Sequence, residues 1–304
     1  MSDPKKKKVL NRIFVILALG AIVFVIGYAV SGMKSGGLLR NRFSFDENKN
    51  VKVLNRLNTD WVFPDEYFLE IVEVDGIAME WIKKKDTESD KVILQLHGGA
   101  YTRSLKDNGT TYRRMAVQYA KISGASVLTV DYRVAPKHPY PAALEDALLA
   151  YRKLLDLGYL PEHIIIAGDS AGGGLALATC LYLKDHDLPM PAAVITMSPW
   201  TNLNYQRRKP AYVGDNRADD PYISPYYGEY GGFPPMLMQA GGDEILLNDT
   251  LHVAKKAEEA GVSVQQTVYP GMFHVFQALF PELSEANTAW NEVEEFITFI
   301  FSDK

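Results

Sequence analysis

Eleven residues, Ile164-Ile165-Ile166-Ala167-Gly168-Asp169-Ser170-Ala171-Gly172-Gly173-Gly174, restrict this chain more than any other stretch. A β-branched run feeds a Gly-x-Ser-x-Gly, and an Ala/Leu-rich run from Leu175 to Leu183 comes after it. The pattern predicts a strand, a sharp turn and a helix. Gly168 and Gly172 leave room for the turn and for close packing of helix on strand. The helix N-terminus then directs its free N–H groups and positive dipole end at Ser170 Oγ. Ser170 is thereby a candidate nucleophile.

The rest of the chain reads as strands alternating with helices. Strands are expected at Val92–Leu96, Ser126–Val130, 192–197, 235–240 and 263–269, with helices over 110–123, 141–157, 249–260 and 283–301. Such alternation calls for a mostly parallel sheet covered on both faces. Two alternating runs around Asp75-Gly76, from Ile71 to Ile82, predict a hairpin that adds an antiparallel edge. Residues 38–68 and 201–233 lack that regularity and are rich in aromatics or in Pro, Tyr, Asn and Gly. They are expected to form a helical cap over one 38–304 domain, with a chain of this length sufficient for a sizeable core.

The N-terminus has a separate logic. Ile13 to Val30 is eighteen residues without a charge. As a helix it would be about 27 Å long, enough to cross a hydrocarbon core. Lys5 to Lys8 and Arg12 precede it, which places a 1–12 tail in the cytoplasm. A 31–37 Gly/Ser-rich linker would then carry the remainder outside the membrane, or a cleaved signal would release it. The formal net charge is −5 although the first 42 residues hold Lys5 to Lys8, Arg12, Lys34, Arg40 and Arg42 against Asp3 alone. The rest is therefore strongly acidic, which argues against a nucleic-acid partner. The single cysteine, Cys180, permits no intrachain disulfide.

A nucleophile needs a base, and the base an orienting acid. Sites in open α/β sheets collect beyond the carboxyl ends of strands. Of six histidines, His274 comes just past the last strand, in Gly271-Met272-Phe273-His274. Asp243 lies past the strand before it through Gly241-Gly242 and is taken as the acid, with the adjacent Glu244 able in principle to substitute. Asp249 suits a helix N-cap better. His97-Gly98-Gly99-Ala100 leaves the first central strand, and its backbone N–H groups with that of Ala171 would bind a developing oxyanion. No metal or organic cofactor is expected. Asp215, Asp219 and Asp220 do not have the spacing of a calcium loop.

These motifs, with Asp131-Tyr132-Arg133-Val134-Ala135-Pro136, Gly168-Asp169-Ser170-Ala171-Gly172-Gly173, Ser198-Pro199-Trp200 and Gly242-Asp243-Glu244, resemble the hormone-sensitive-lipase family of bacterial carboxylesterases over roughly residues 70 to 300. The resemblance implies an α/β-hydrolase fold with a helical cap, and hydrolysis of short- to medium-chain carboxylic esters through an acyl-enzyme. It places Ser170 as nucleophile, Asp243 as acid, His274 as base, and Gly98, Gly99, Ala100 and Ala171 at the oxyanion hole. Ala100 stands where the family usually has a third glycine. Asp131 and Arg133 are expected to pair, and Tyr101, Trp200, Trp61 or Phe63 either to line the pocket or to be ordinary core. Deacetylation of a cell-surface glycan is an alternative on the same site. A non-catalytic binding module is a second, disfavoured by His274.

Overall fold

The Asp75-Gly76 turn sets the edge of the sheet. Both residues have positive φ, +49° and +81°, as a two-residue hairpin of matching twist requires. They join β1 (Tyr67–Val74) to β2 (Ile77–Lys84), with Val74 opposite Ile77. The computed structural model describes residues 61–204 and 208–302. The chain divides into two units at Val62/Phe63, and the second holds every strand and helix among the described residues. The expected tail 1–12, membrane helix 13–30, linker 31–37 and cap residues 38–60 lie outside the described residues. Among the described residues no helix is long and apolar enough to cross a membrane.

Six further strands complete the sheet: β3 (Val92–Leu96), β4 (Ser126–Val130), β5 (Ile164–Asp169), β6 (Ala193–Met197), β7 (Met236–Gly241) and β8 (Val264–Tyr269). Their order is β1-β2-β4-β3-β5-β6-β7-β8. β2 pairs antiparallel with β1 and β4, and all later neighbours are parallel. Every residue of β3 to β7 is buried. That is why these strands read as continuous apolar runs and not as alternations.

The helices are α1 (Gly109–Ser123), α2 (Ala142–Asp156), α3 (Ser170–Asp185), α4 (Leu247–Glu259), the short α5 (Phe276–Leu279) and α6 (Ser284–Ser302). One face of the sheet packs Val92, Leu94 and Leu96 against α2, α3 and α4 in a single core. On α1 and α6, Tyr119 meets Trp290 edge-on at 4.9 Å between ring centres. α3 is buried on almost every side, consistent with an apolar helix that has no polar face to give to water. After β3 the chain adds β4 on one side and β5 on the other. The crevice at that reversal lies beyond the carboxyl ends of β3 and β5, where His97 and Ser170 begin their loops.

Two expectations are corrected. The described part of the cap is not α-helical. The described residues of 201–233 hold only 3₁₀ turns at Ala211–Val213 and Pro225–Tyr227, and Tyr67 and Phe68 belong to β1. Backbone turn bonds, such as Ser224 N–H to Asp220 O at 2.7 Å, and hydrogen bonds to side chains take the place of a helical ladder. Asp249 Oδ2 accepts the N–H groups of Thr201 (2.7 Å) and Asn202 (2.8 Å), and Ser224 Oγ accepts that of Leu203. Arg133 does not pair with Asp131. Its guanidinium meets Asp146 at 2.7 Å and Glu145 at 2.9 Å on α2, while Asp131 accepts the Leu105 N–H. A partner presented by a packed helix outcompetes a neighbour two residues away along the chain.

Candidate active site

Ser170 has φ +50°, a left-handed conformation that a non-glycine residue adopts at a cost of about 1–2 kcal/mol. Glycines hold it there. A Cβ on Gly168 would lie 2.3 Å from the Gly172 carbonyl oxygen, and one on Gly172 would lie 2.0 Å from that of Leu96. The first turn of α3 therefore sits on β3 with no side chain between. The Ser170 carbonyl accepts the Trp200 N–H at 2.8 Å, which ties the elbow to the loop after β6.

His274 Nε2 lies 2.9 Å from Ser170 Oγ. Its Nδ1 lies 2.7 Å from Glu244 Oε2. A carboxylate only accepts, so Nδ1 carries the proton and Nε2 accepts from the serine hydroxyl. The acid beside the histidine is thus Glu244 and not Asp243. The Glu244 side chain has 0% exposure, and its other oxygen accepts the Gly241 N–H at 3.1 Å. Asp243 is exposed and contributes its backbone, donating its N–H to Met272 O at 2.9 Å. The turn after Gly241 decides between them: the residue at 243 faces solvent, and the longer side chain at 244 folds back over the end of β7. No sequence signal separates two adjacent carboxylates at this spacing.

The loop after β3 is equally specific. His97 is fully buried, its ring stacked on Tyr132 at 4.1 Å. Its Nδ1–H donates to Gly98 O, and burial pushes the imidazole down to about 4, which keeps it neutral. The Tyr132 hydroxyl donates to His97 O at 2.5 Å. Gly98, expected as an oxyanion donor, instead commits its N–H to Asp169 Oδ1 at 3.0 Å. The N–H groups of Gly99, Ala100 and Ala171 have no acceptor among the described residues. Ala100 has φ +54°, so it adopts a glycine-like conformation despite its Cβ. Of the two readings of Tyr101 and Trp200, pocket wall or core, the core one fits: Tyr101 is 1% exposed and stacks on Tyr212 at 3.8 Å, and Trp200 is likewise buried.

Asp169 joins the Ser170 turn to the loop after β3. Besides Gly98 it accepts the Tyr112 hydroxyl at 3.2 Å. Burial raises its carboxyl from 3.8 to about 6, against the opposing pull of the His274 charge and of these donors.

A mostly parallel sheet with serine, carboxylate and histidine following β5, β7 and β8 at one edge is the architecture of an α/β-hydrolase. Residues 93–278 match the family described as alpha/beta hydrolase fold. An acetyl-hydrolase of Streptomyces hygroscopicus is 33% identical over 240 residues, which cover 72% of this chain and 79% of its own. The crystal structure of EstE5 soaked with p-nitrophenyl butyrate is 34% identical, with a TM-score of 0.76 over 95% of this chain and 99% of that one. An esterase from the bacterial hormone-sensitive lipase family is 32% identical, with a TM-score of 0.73 over 84% and 92% of the two chains. The chain belongs to the α/β-hydrolase fold family, in its hormone-sensitive-lipase branch, and is a carboxylic ester hydrolase.

Glu244→Gln removes the group that fixes the His274 tautomer, and kcat should fall by about 10²- to 10⁴-fold. Asp243→Asn should leave kcat within about twofold, since only its backbone is used. Steady-state kinetics of both variants on one ester check this, and the reverse ranking would restore Asp243. Asp169 offers a pH-dependent test. Its raised carboxyl means the folded protein keeps a proton that the unfolded chain releases between about pH 4 and 6, so stability falls as pH rises through that window and the full cost is present above it. Asp169→Asn should thus gain stability relative to wild type between pH 4.5 and pH 8, by on the order of 2–3 kcal/mol. Urea midpoints at the two pH values measure it, and a pH-independent difference would refute the charged, buried state.

Proposed function

We propose that Ser170, His274 and Glu244 form a catalytic triad that hydrolyses short- to medium-chain carboxylic esters through an acyl-enzyme. The observation that carries this is the single chain of hydrogen bonds from Glu244 Oε2 through both ring nitrogens of His274 to Ser170 Oγ. Ser170 Oγ attacks the ester carbonyl as its proton passes to His274 Nε2. The negative charge that develops on the carbonyl oxygen is met by the N–H groups of Gly99, Ala100 and Ala171, which have no other acceptor among the described residues. Glu244 stabilises the imidazolium without taking its proton. The tetrahedral intermediate expels the alkoxide, which takes the Nε2 proton and leaves as alcohol. Water, deprotonated by the same nitrogen, then attacks the acyl carbon and Ser170 departs with that proton. No step draws on a metal or organic cofactor.

The acyl range is supported by the relatives. One is an acetyl-hydrolase, and crystals of another were soaked with a butyrate ester. The acetyl-hydrolase also favours a second reading in its acyl part, an acetyl ester, in which acyl selectivity narrows to two carbons; a surface glycan as its carrier follows from the proposed external location. A ladder of p-nitrophenyl esters from acetyl to long chains tests both. Turnover should peak at short to medium acyl groups and drop at least about 10³-fold in Ser170→Ala. A peak confined to acetyl favours the deacetylase, and undiminished turnover by Ser170→Ala sinks the triad.

Location belongs to the same proposal. The basic cluster before the uncharged 13–30 stretch supports a cytoplasmic N-terminus with the catalytic unit on the outer side of the membrane. Protease added to intact spheroplasts should then destroy the ester-hydrolysing unit, and full protection of it until lysis would place it inside.

A further inference from the structure

Among the described residues, eight that are not glycine have positive φ. Three are Asp75, Asp86 and Asp187, a residue type that tolerates it in turns. The other five are Ala100, Tyr101, Ser170, Ser198 and Val275. All five lie on the loops after β3, β5, β6 and β8, at the carboxyl edge of the sheet. Ala100, Tyr101 and Ser170 belong to the oxyanion loop and the elbow. Ser198 and Val275 take no part in acyl transfer, yet they are joined: Ser198 Oγ accepts the Val275 N–H at 3.1 Å.

Val275 is the residue after His274, with φ +52°. A β-branched residue in that conformation is a true outlier and persists only where its surroundings over-determine it. On the other side of His274 the loop is fixed by the Asp243 N–H on Met272 O, and by Gly241, where a Cβ would lie 2.3 Å from that same oxygen. On the Val275 side the first backbone tie is Ser198. Ser198 is itself fully buried at φ +51°, and its N–H is held by Gln239 O at 2.7 Å across the end of β7. Glycine would occupy that φ without strain. The serine hydroxyl does what glycine could not: it supplies the acceptor for a buried N–H one residue from the imidazole.

We infer that Ser198 is a positioning residue for His274: its Oγ, through the Val275 N–H, sets the height and turn of the loop that brings Nε2 to Ser170 and Nδ1 to Glu244. This rests on the triad reading of the site. It also gives the Ser198-Pro199-Trp200 motif a role that the reaction steps do not.

Two substitutions in the full chain separate this role from general support of the fold. Ser198→Gly removes the acceptor and relaxes the backbone. Ser198→Ala removes the acceptor and keeps the strain. Their Tm values should differ, with glycine the higher, while kcat on p-nitrophenyl acetate falls about 10- to 100-fold in both and KM stays within about twofold, as for a displaced catalytic group. The low-field proton NMR signal of the Nδ1–H between His274 and Glu244 should broaden or move in both. Ser198→Gly alone suffices should the alanine variant not fold. Wild-type kcat and an unmoved low-field signal in Ser198→Gly overturn the inference, and so does a kcat that follows Tm across the two variants. His274→Ala is the control for the reading beneath it: turnover retained there removes the triad and not merely its positioning.

Discussion

The contact on which the site depends is the one without a side chain, where Gly172 of α3 lies against the Leu96 and His97 carbonyls. It lets a helix begin directly on two parallel strands. Three consequences share that cause. Ser170 is thrown to the top of the sheet at positive φ. The Ala171 N–H, among the unpaired first N–H groups of the helix, is aimed at the crevice. The chain after Leu96 passes close enough for Gly98 to reach Asp169. A single methyl at 172 would part helix from strand and separate Ser170 from the loop after β3 together.

Strain is concentrated where the chemistry is. Ala100, Tyr101, Ser170, Ser198 and Val275 together store several kcal/mol at about 1–2 kcal/mol each. That is comparable with the whole net stability of an ordinary domain, about 5–15 kcal/mol. The buried strands β3 to β7, and the core of α2, α3 and α4 on one of their faces, offset it. Rigid strands fix where each loop starts, so the loops can be held in shapes they would not choose in isolation.

Buried charge has the same distribution. Glu244, Asp169 and Asp249 all lie on this edge of the sheet, and each accepts backbone N–H groups from a loop that must be held still. Burial raises the carboxyls of Asp169 and Asp249 to about 6, so their ionised forms are retained at a cost in stability. His97, stacked on Tyr132, is the complement, an imidazole kept neutral by burial.

Local pattern is enough for much of the molecule. The strand-turn-helix around Ser170, the Asp75-Gly76 hairpin and the central strands are written in residues adjacent in sequence. So is His274, placed by lying just past the last strand. Contacts between distant segments are not legible in that way. Asp243 and Glu244 are neighbours with the same charge, and only the turn after Gly241, packed under Met272, decides which one reaches the histidine. Gly98 reads as a donor until Asp169, 71 residues later, is seen to accept its N–H. Arg133 reads as a partner for Asp131 until α2 presents Asp146. The 201–233 stretch is expected to be helical cap, yet its described residues are held by turn bonds and by Asp249 and Ser224, none of which shows as a period. Fold class, and the placing of Ser170 and His274 at one edge of the sheet, are thus set by short-range periodicity and backbone sterics, which any reading along the chain can reach. Which carboxylate meets His274, where the Gly98 N–H goes and what the Val275 N–H finds wait on the folded molecule, because a hydrogen bond is chosen by distance in space and the sequence records only distance along the chain.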